Sequence, residues 1–145
     1  MDIEHYKKLE NMYLGANVNT KVFHTTTCEI GSEKATITMD VSENYFHALG
    51  AIHGTVYFKM LDDAAYFAVS SVVKDYFMLT SSFNINILRP VSKGKLTAIG
   101  NVRYKSSNLF SADATLYNQD GKEVAFGTGN FAKSKILLSE GVGYK

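Results

Sequence analysis

Apolar residues recur along this chain at two different spacings, which divide it into helices and strands. Residues 2–14 place apolar side chains at helical spacing and predict a short amphipathic helix. Residues 54–74 carry two adjacent apolar stripes, typical of a long helix that faces a core and leaves one narrow face wet. The residues expected on that wet face are Lys59, Asp63, Ser70 and Lys74.

Other segments alternate between apolar and polar residues, as half-buried strands do. Residues 34–41 do so most clearly, and the preceding residues 22–30 are predicted to pair with them through a hairpin at Gly31 and Ser32. Two glycines, Gly127 and Gly129, interrupt the last strand and predict a bulge or a close contact. The strands predicted after the long helix are 77–89, 94–106, 108–118 and 122–134.

The order of elements is a helix, two strands, a long helix and four strands, with an irregular loop over residues 42–53. Strands joined by short turns and segregated from helices predict an antiparallel sheet in the α+β class. One long apolar helix needs cover, so we expect a curved sheet to wrap it. Both edges of that sheet would be open, which favours pairing with a second copy. We expect one domain over residues 1–145.

Composition narrows the class of protein. The 145 residues include 15 basic and 14 acidic side chains, a balance that argues against a nucleic-acid-binding protein. Cys28 is the one cysteine, so the chain has no internal disulfide and no cysteine-based metal site. No apolar run approaches the ~20 residues that span a bilayer. The first residues lack a signal-like apolar stretch, so we expect no membrane association and a cytoplasmic location.

The junction between the irregular loop and the long helix, His53-Gly54, is a candidate site. The first N–H groups of a helix have no partner within it, and the helix dipole adds partial positive charge there. Gly54 has no side chain to block them, so this terminus can bind an anion or stabilise an oxyanion. Most helix starts bind only water or a capping group. This feature alone therefore does not distinguish a functional site from an ordinary helix start.

Asp62 is a second candidate. On a helical wheel it lies about 100° from the wet face, among apolar neighbours. Burial beside such neighbours raises the pKa of a carboxyl group. Asp63 follows Lys59 by four residues and is interpreted as a solvated charge. Two readings of Asp62 remain: a reactive carboxylate, or an acceptor of hydrogen bonds from a neighbouring strand or partner chain.

Gly54 and Asp62 are eight residues apart, or about 12 Å along a helix at about 1.5 Å per residue. They cannot both reach one small reacting group on the same helix. If both act, two antiparallel helices from two subunits must bring them together, and a two-fold dimer would then hold two equal sites.

These residues form a pattern that resembles a known family. His53-Gly54 at a helix start, Gly50 three residues earlier, an aspartate nine residues after the histidine and the later segment 84–90 ending in Pro90 are similar to hotdog-fold thioesterases of the PaaI-like type. The element order agrees over about residues 20–135. The resemblance implies a hotdog fold, in which a curved antiparallel sheet wraps a long central helix.

The resemblance further implies hydrolysis of acyl-CoA thioesters without metal or cofactor, by homodimers or by tetramers that are dimers of dimers. The position of Asp62 supplies a nucleophile or general base, and that of Gly54 an N–H that polarises the thioester carbonyl. The position of His53 shapes the turn, and the hydroxyl of Thr80 orients water.

Four further residues are expected to bind substrate: His47, Gly50, Thr55 and Arg89. The family usually has asparagine at the position of His47 and a second glycine at that of Thr55. An imidazole at position 47 can still donate a hydrogen bond to the thioester or to Asp62. Arg89, near a strand end, is a candidate to meet CoA phosphates, with an ordinary solvated charge as the alternative. These departures keep open a dimer that binds acyl-CoA or another small ligand without turnover. A hydratase or dehydratase, which resembles this fold, is a weaker alternative.

Overall fold

The computed structural model describes residues 2–145, so Met1 lies outside the described part. Two α-helices, six strands and three short helical turns make up the fold. The helices are α1 (Ile3–Gly15) and α2 (Gly54–Ser70), and the strands are β1 (Thr27–Gly31), β2 (Lys34–Asp40), β3 (Tyr76–Ile87), β4 (Lys95–Lys105), β5 (Leu109–Tyr117) and β6 (Glu123–Leu137). The helical turns are Val18–Val22, Glu43–Tyr45 and Glu140–Val142.

All six strands join one antiparallel sheet in the order β1-β2-β4-β5-β6-β3. Helix α2 packs against every strand of it, so the sheet wraps the helix as the element order predicts. The α+β class is therefore confirmed. Helix α1 covers one edge, where the Glu10 side chain accepts a hydrogen bond from the Ile30 N–H at 2.9 Å. Along the other edge, β3 pairs with β6 alone among the described strands.

The core lies between α2 and the concave face of the sheet. The alternation predicted for β2 is confirmed, because Ala35, Ile37 and Met39 are fully buried. They face the apolar stripes of α2, whose Met60 and Leu61 are also fully buried. Period-two alternation in the strand and 3.6-residue periodicity in the helix thus bury matching faces.

Helix α2 approaches the sheet most closely over β4. A Cβ atom on Gly100 would lie only 2.2 Å from the carbonyl oxygen of Ala64. The contact between Gly100 of β4 and Ala64 of α2 therefore sets the distance between helix and sheet. The close contact predicted at Gly127 and Gly129 is also confirmed: a Cβ there would meet the Asn84 carbonyl at 2.3 Å and the Phe83 ring at 2.6 Å.

Two predicted boundaries are wrong. The strand predicted over 22–30 begins only at Thr27, because residues 18–22 form a helical turn in which the Phe23 N–H bonds the Val18 carbonyl at 2.8 Å. Helix α2 ends at Ser70 instead of residue 74. The N–H groups of Val72 and Val73 bond carbonyls three residues back, which tightens the chain out of the helix.

The wet face predicted for α2 is also wrong at three of its four positions. The Lys59 side chain is only 11% exposed. Ser70 is buried, and its carbonyl accepts a hydrogen bond from the His5 ring at 2.8 Å. The side chain of Asp63 is only 18% exposed and accepts a hydrogen bond from the Tyr13 hydroxyl. Both partners belong to α1, which lies across this face. A polar stripe on one helix does not reveal that another helix will cover it.

We expect Gly100→Ala to lower the free energy of unfolding by about 2 kcal/mol or more, because the added methyl group would overlap the α2 backbone. Chemical denaturation measures this change. Gly31→Ala is the matched control, since a Cβ on Gly31 would meet no atom within 4 Å. Equal effects of the two variants would contradict the packing argument.

Candidate active site

The start of α2 leaves one N–H donor free. The His53 ring accepts a hydrogen bond at Nδ1 from the Thr55 N–H at 3.1 Å, and the Val56 N–H donates to the His53 carbonyl at 2.9 Å. The Thr55 hydroxyl also lies 3.0 Å from Nδ1. Within residues 2–145, the Gly54 N–H donates to no protein group. Capping by His53 and Thr55 thus satisfies the neighbouring amide and leaves that of Gly54 open to a ligand.

The loop before this helix is a tight turn. The His47 N–H donates to the Ala51 carbonyl, and the Gly50 N–H donates back to the His47 carbonyl at 3.0 Å. Gly50 has a φ of 81°, which favours glycine. The His47 ring accepts a hydrogen bond from the Leu49 N–H at 3.1 Å. His47 therefore stabilises its own turn, and within the described chain it makes no hydrogen bond to Asp62.

Asp62 lies in the middle of α2, half-buried, next to β3. The Thr80 hydroxyl donates to its Oδ1 at 2.9 Å, so these two predicted residues are brought together. Burial raises the pKa of Asp62 to about 6, and the charge of Asp63 adds to the rise. The hydrogen bond from Thr80 and the charge of Lys59 oppose it. No cation within residues 2–145 forms an ion pair with Asp62.

Both readings of Asp62 are thus partly met: it accepts a hydrogen bond from a neighbouring strand, and its proton affinity is raised. A structural carboxylate that is well satisfied has its pKa lowered by its partners. Asp62 has one neutral donor and an apolar surrounding, and its pKa moves in the opposite direction. Burial also raises the pKa of Asp63, whose partners are Lys59 and Tyr13, so the feature that distinguishes Asp62 is its lack of a cationic partner in the described chain.

A cleft of about 480 Å³ opens beside Asp62 and Thr80. Its walls are mainly aromatic and aliphatic, and a site of this size and character suits a small organic group. Sequence reasoning missed one wall, which comes from the end of α1 and the helical turn after it. The lining includes Tyr13, Asn19, Tyr66, Phe67, Phe77 and Leu79.

A strip of apolar side chains along β3 and the start of α2 is exposed to solvent. Phe58 packs edge-to-face on Phe83 with ring centres 5.6 Å apart, yet 42% of Phe58 remains exposed. Leu79 and Ile87 on β3 are also about half exposed. Exposed apolar side chains along an unpaired sheet edge are typical of an interaction site. Here it borders both Gly54, whose Cβ would lie 3.6 Å from Ile87, and the free edge of the sheet.

Comparison with known proteins identifies the family. The family model of the thioesterase superfamily matches residues 49–125, more than half of the chain. The chain belongs to the thioesterase superfamily. The match includes Gly50, the Gly54 amide, Asp62 and Thr80, and it begins two residues after His47.

Solved structures place this thioesterase-superfamily chain in the hotdog fold. The PaaI protein of the E. coli phenylacetic acid degradation operon is 22% identical, with 94% of this chain and 97% of that one covered and a TM-score of 0.83. A mutant thioesterase of Pseudomonas aeruginosa is 19% identical, with 90% of this chain and 94% of that one covered and a TM-score of 0.77. A thioesterase of Haemophilus influenzae is 18% identical, with 88% of each chain covered and a TM-score of 0.75. A search of curated proteins returned no significant match.

The other predicted binding residue, Arg89, lies exposed just after β3. The Tyr57 hydroxyl donates to its carbonyl at 2.6 Å, which fixes this segment beside the start of α2. Its guanidinium takes part in no ion pair within the described chain. No group of three His, Cys, Asp or Glu side chains in residues 2–145 is placed to hold a metal ion. None of the described helices is long and apolar enough to cross a membrane.

The raised pKa of Asp62 predicts a pH-dependent effect of Asp62→Asn on stability. The folded chain binds this proton more tightly than the unfolded chain, whose value is near 3.8. The contribution to stability is therefore full below about pH 4 and is lost as the pH rises through about 6. Between about pH 4 and 7 the free energy of unfolding should shift in favour of Asp62→Asn by up to about 3 kcal/mol.

Denaturation at several pH values and one fixed protein concentration tests this expectation, because assembly also affects apparent stability. Asp120→Asn, in the exposed turn between β5 and β6, is the control for the loss of one negative charge. A difference between Asp62→Asn and the parent that does not change with pH would show that Asp62 is not a carboxyl group with raised proton affinity.

Proposed function

We propose that this thioesterase-superfamily chain hydrolyses acyl-CoA thioesters, with the Gly54 amide and the Asp62 carboxylate supplied by different subunits. The observation that carries the proposal is the free Gly54 N–H at a helix start where the neighbouring amides are satisfied. Superfamily membership and a half-buried carboxylate without a cationic partner support it.

The Gly54 N–H is suited to hold the thioester carbonyl oxygen. Negative charge develops on that oxygen as the carbonyl carbon becomes tetrahedral, and a fixed N–H at the positive end of a helix stabilises it. His53 contributes by capping the helix through Thr55, which fixes the direction of the adjacent Gly54 amide. Thr55 therefore has a role in the cap and leaves the Gly54 N–H unobstructed.

Asp62 is suited to act as the general base. With a pKa near 6 it is ionised at neutral pH and still basic enough to take a proton from water. The water oxygen bonds to the carbonyl carbon, the carbon–sulfur bond breaks, and the CoA thiolate leaves and takes up the proton. The Thr80 hydroxyl, 2.9 Å from Asp62, orients the carboxylate and the water. In the alternative, an Asp62 oxygen bonds to the carbonyl carbon and the carbon–sulfur bond breaks to release CoA thiolate. Water then cleaves the acyl-enzyme anhydride, which releases the free acid and restores the carboxylate, and the proton goes to the thiolate.

The site requires two chains, because one helix separates Gly54 from Asp62 by about 12 Å at about 1.5 Å per residue. A two-fold axis beside the free edge of β3 would pair two copies of that strand and cover the apolar strip of Phe58, Leu79 and Ile87. We therefore propose a homodimer as the functional unit, and a tetramer as a dimer of such dimers.

The remaining predicted residues fit around this arrangement. The cleft beside Asp62 takes the acyl group, since its walls are mostly apolar. The turn formed by His47 and Gly50 directly precedes Gly54, so it would border the thioester from the partner's side. Arg89 lies free at the surface near the start of α2, where its guanidinium can meet a CoA phosphate.

We expect Asp62→Asn to lower kcat by about 10²–10⁴-fold, as loss of a general base does. The measurement is release of CoA thiol from a panel of acyl-CoA substrates, with size-exclusion chromatography to verify that assembly persists. Asp120→Asn is the control. Unchanged turnover in Asp62→Asn would exclude Asp62 as the catalytic carboxylate.

The Gly54 amide can be removed without removing the helix. Proline is well tolerated at the first helical position, and His53 already has the extended backbone (ψ 150°) that a following proline favours. Gly54→Pro deletes the N–H, and we expect kcat to fall by about 10²–10³-fold. Gly54→Ala keeps the N–H and adds only an ordinary contact with Ile87, so its loss should be far smaller. Equal losses in the two variants would point to crowding instead of a missing donor.

Mixing these variants tests the shared site. Asp62→Asn and Gly54→Pro homodimers should both be inactive, but a mixed dimer regains one intact site. Equal amounts of the two chains, unfolded and refolded together, should therefore recover about a quarter of the parent activity, since half of the dimers are mixed and each has one good site. No recovery, with mixed dimers shown by mass spectrometry, would place the two residues in separate sites.

The same substrate panel separates the alternatives. Tight binding of acyl-CoA without thiol release from any substrate would favour the non-catalytic binding dimer. Addition of water to a 2-enoyl-CoA, followed by its absorbance, would favour the hydratase.

A further inference from the structure

Asp63, next to the proposed catalytic carboxylate, belongs to a covered ion-pair cluster. Its Oδ2 accepts hydrogen bonds from the Lys59 ammonium at 2.5 Å and from the Tyr13 hydroxyl at 2.8 Å. The side chains of Lys59 and Asp63 are only 11% and 18% exposed. Surface pairs four residues apart contribute little, whereas a pair covered to this extent is strongly coupled.

Lys59 has two carboxylates within reach on its own helix. Asp62 follows it by three residues and Asp63 by four, and both spacings bring side chains together. The ammonium lies 5.2 Å from the centre of the Tyr13 ring and 5.1 Å from that of Phe23. Both rings lie on the Asp63 side of α2, so cation–π contacts add to the ion pair and favour Asp63 over Asp62.

The groups that face Asp62 set its charge environment. In the described chain the ionisable groups around this end of the cleft and its ion pair are Tyr13 from α1, Cys28 from β1, and Lys59, Asp63 and Tyr66 from α2, while β3 contributes the Thr80 hydroxyl. Lys59 is the one cation among them. Burial raises the pKa of Tyr66 beyond the physiological range, so Tyr66 stays neutral.

We propose, building on the proposed function, that Asp63 is a positioning residue that holds Lys59 away from Asp62, so that the Asp62 carboxylate has no cationic partner. A carboxylate bound to an ammonium is a weaker base and is turned away from water. The pair with Asp63 leaves Asp62 with one neutral hydrogen bond, from Thr80. Two adjacent aspartates on one helix thus have separate tasks: one binds the lysine, and the other remains available to the substrate.

Asp63→Asn tests the proposal. Asparagine keeps the shape and an acceptor for the Tyr13 hydroxyl but no longer neutralises Lys59, which then interacts with Asp62. An opposite charge within about 4–6 Å lowers a carboxyl pKa by about 1–3. We therefore expect the titration midpoint of the Asp62 carboxyl, measured by ¹³C NMR, to fall by about one pH unit or more. The acidic limb of the kcat/KM profile should move by the same amount, with a lower plateau.

The double variant Lys59→Met/Asp63→Asn removes both charges and should return the Asp62 midpoint to the parent value. This rescue distinguishes charge control from structural damage, which the second substitution would not repair. Asp40→Asn, which breaks the exposed pair with Lys95, is the matched control and should leave the midpoint unchanged. An unchanged midpoint in Asp63→Asn, or no return in the double variant, would overturn the proposal.

If Asp63→Asn fails to fold, Tyr13→Phe gives the second test. It keeps all charges and both rings and removes one hydrogen bond to Asp63, so it should lower the Asp62 midpoint by a smaller amount. A midpoint that stays or rises would reject the proposal. The NMR titration needs no turnover, so an inactive chain that still shows the shift would refute the proposed function and leave the role of Asp63 intact.

Discussion

The burial of α2 against the concave face of the sheet is the constraint on which the rest of this structure depends. Gly100 allows the helix backbone to approach β4 to a distance that no side chain would permit. With its apolar stripes fully buried there, the helix has one rotational setting and one axial position. That setting fixes the Gly54 amide at the sheet's open edge and turns Asp62 toward Thr80 of β3.

A helix fixed in this way presents two useful groups but separates them. The amide is available because capping ends at Thr55, and the pKa of the carboxyl group is raised because the protein solvates it poorly. The half-buried carboxylate opposes folding of a single chain, and the open amide gains no hydrogen bond within that chain. The free edge of β3 and its apolar strip are likewise unfavourable alone. All four lie on one side of the molecule, which is the side that the proposed two-fold axis would cover.

The sequence predicts much of this with local rules. Period-two alternation found β2, the long apolar periodicity found α2, and the turn chemistry found β4 to β6 with ends within about three residues, because those signals arise from neighbours along the chain. Asp62 stood out because its wheel neighbours are apolar. The helical turn after α1 was missed although its bonds to Tyr13 and Phe23 span only six and five residues, because Val22 and Phe23 have high strand propensity.

Asp63 was predicted to be solvated because its own helix does not reveal that α1 covers it. A charge next to Lys59 on a polar stripe is solvated unless another element covers it, and α1 is separated from α2 by two strands in sequence. Once Tyr13 and Phe23 cover the pair, Lys59 gains a low-dielectric, aromatic surrounding in which it pairs strongly with a single carboxylate. In the proposed mechanism the N-terminal helix therefore contributes without touching the reacting atoms. It forms one wall of the cleft, and by fixing the lysine on Asp63 it leaves Asp62 unpaired beside Thr80.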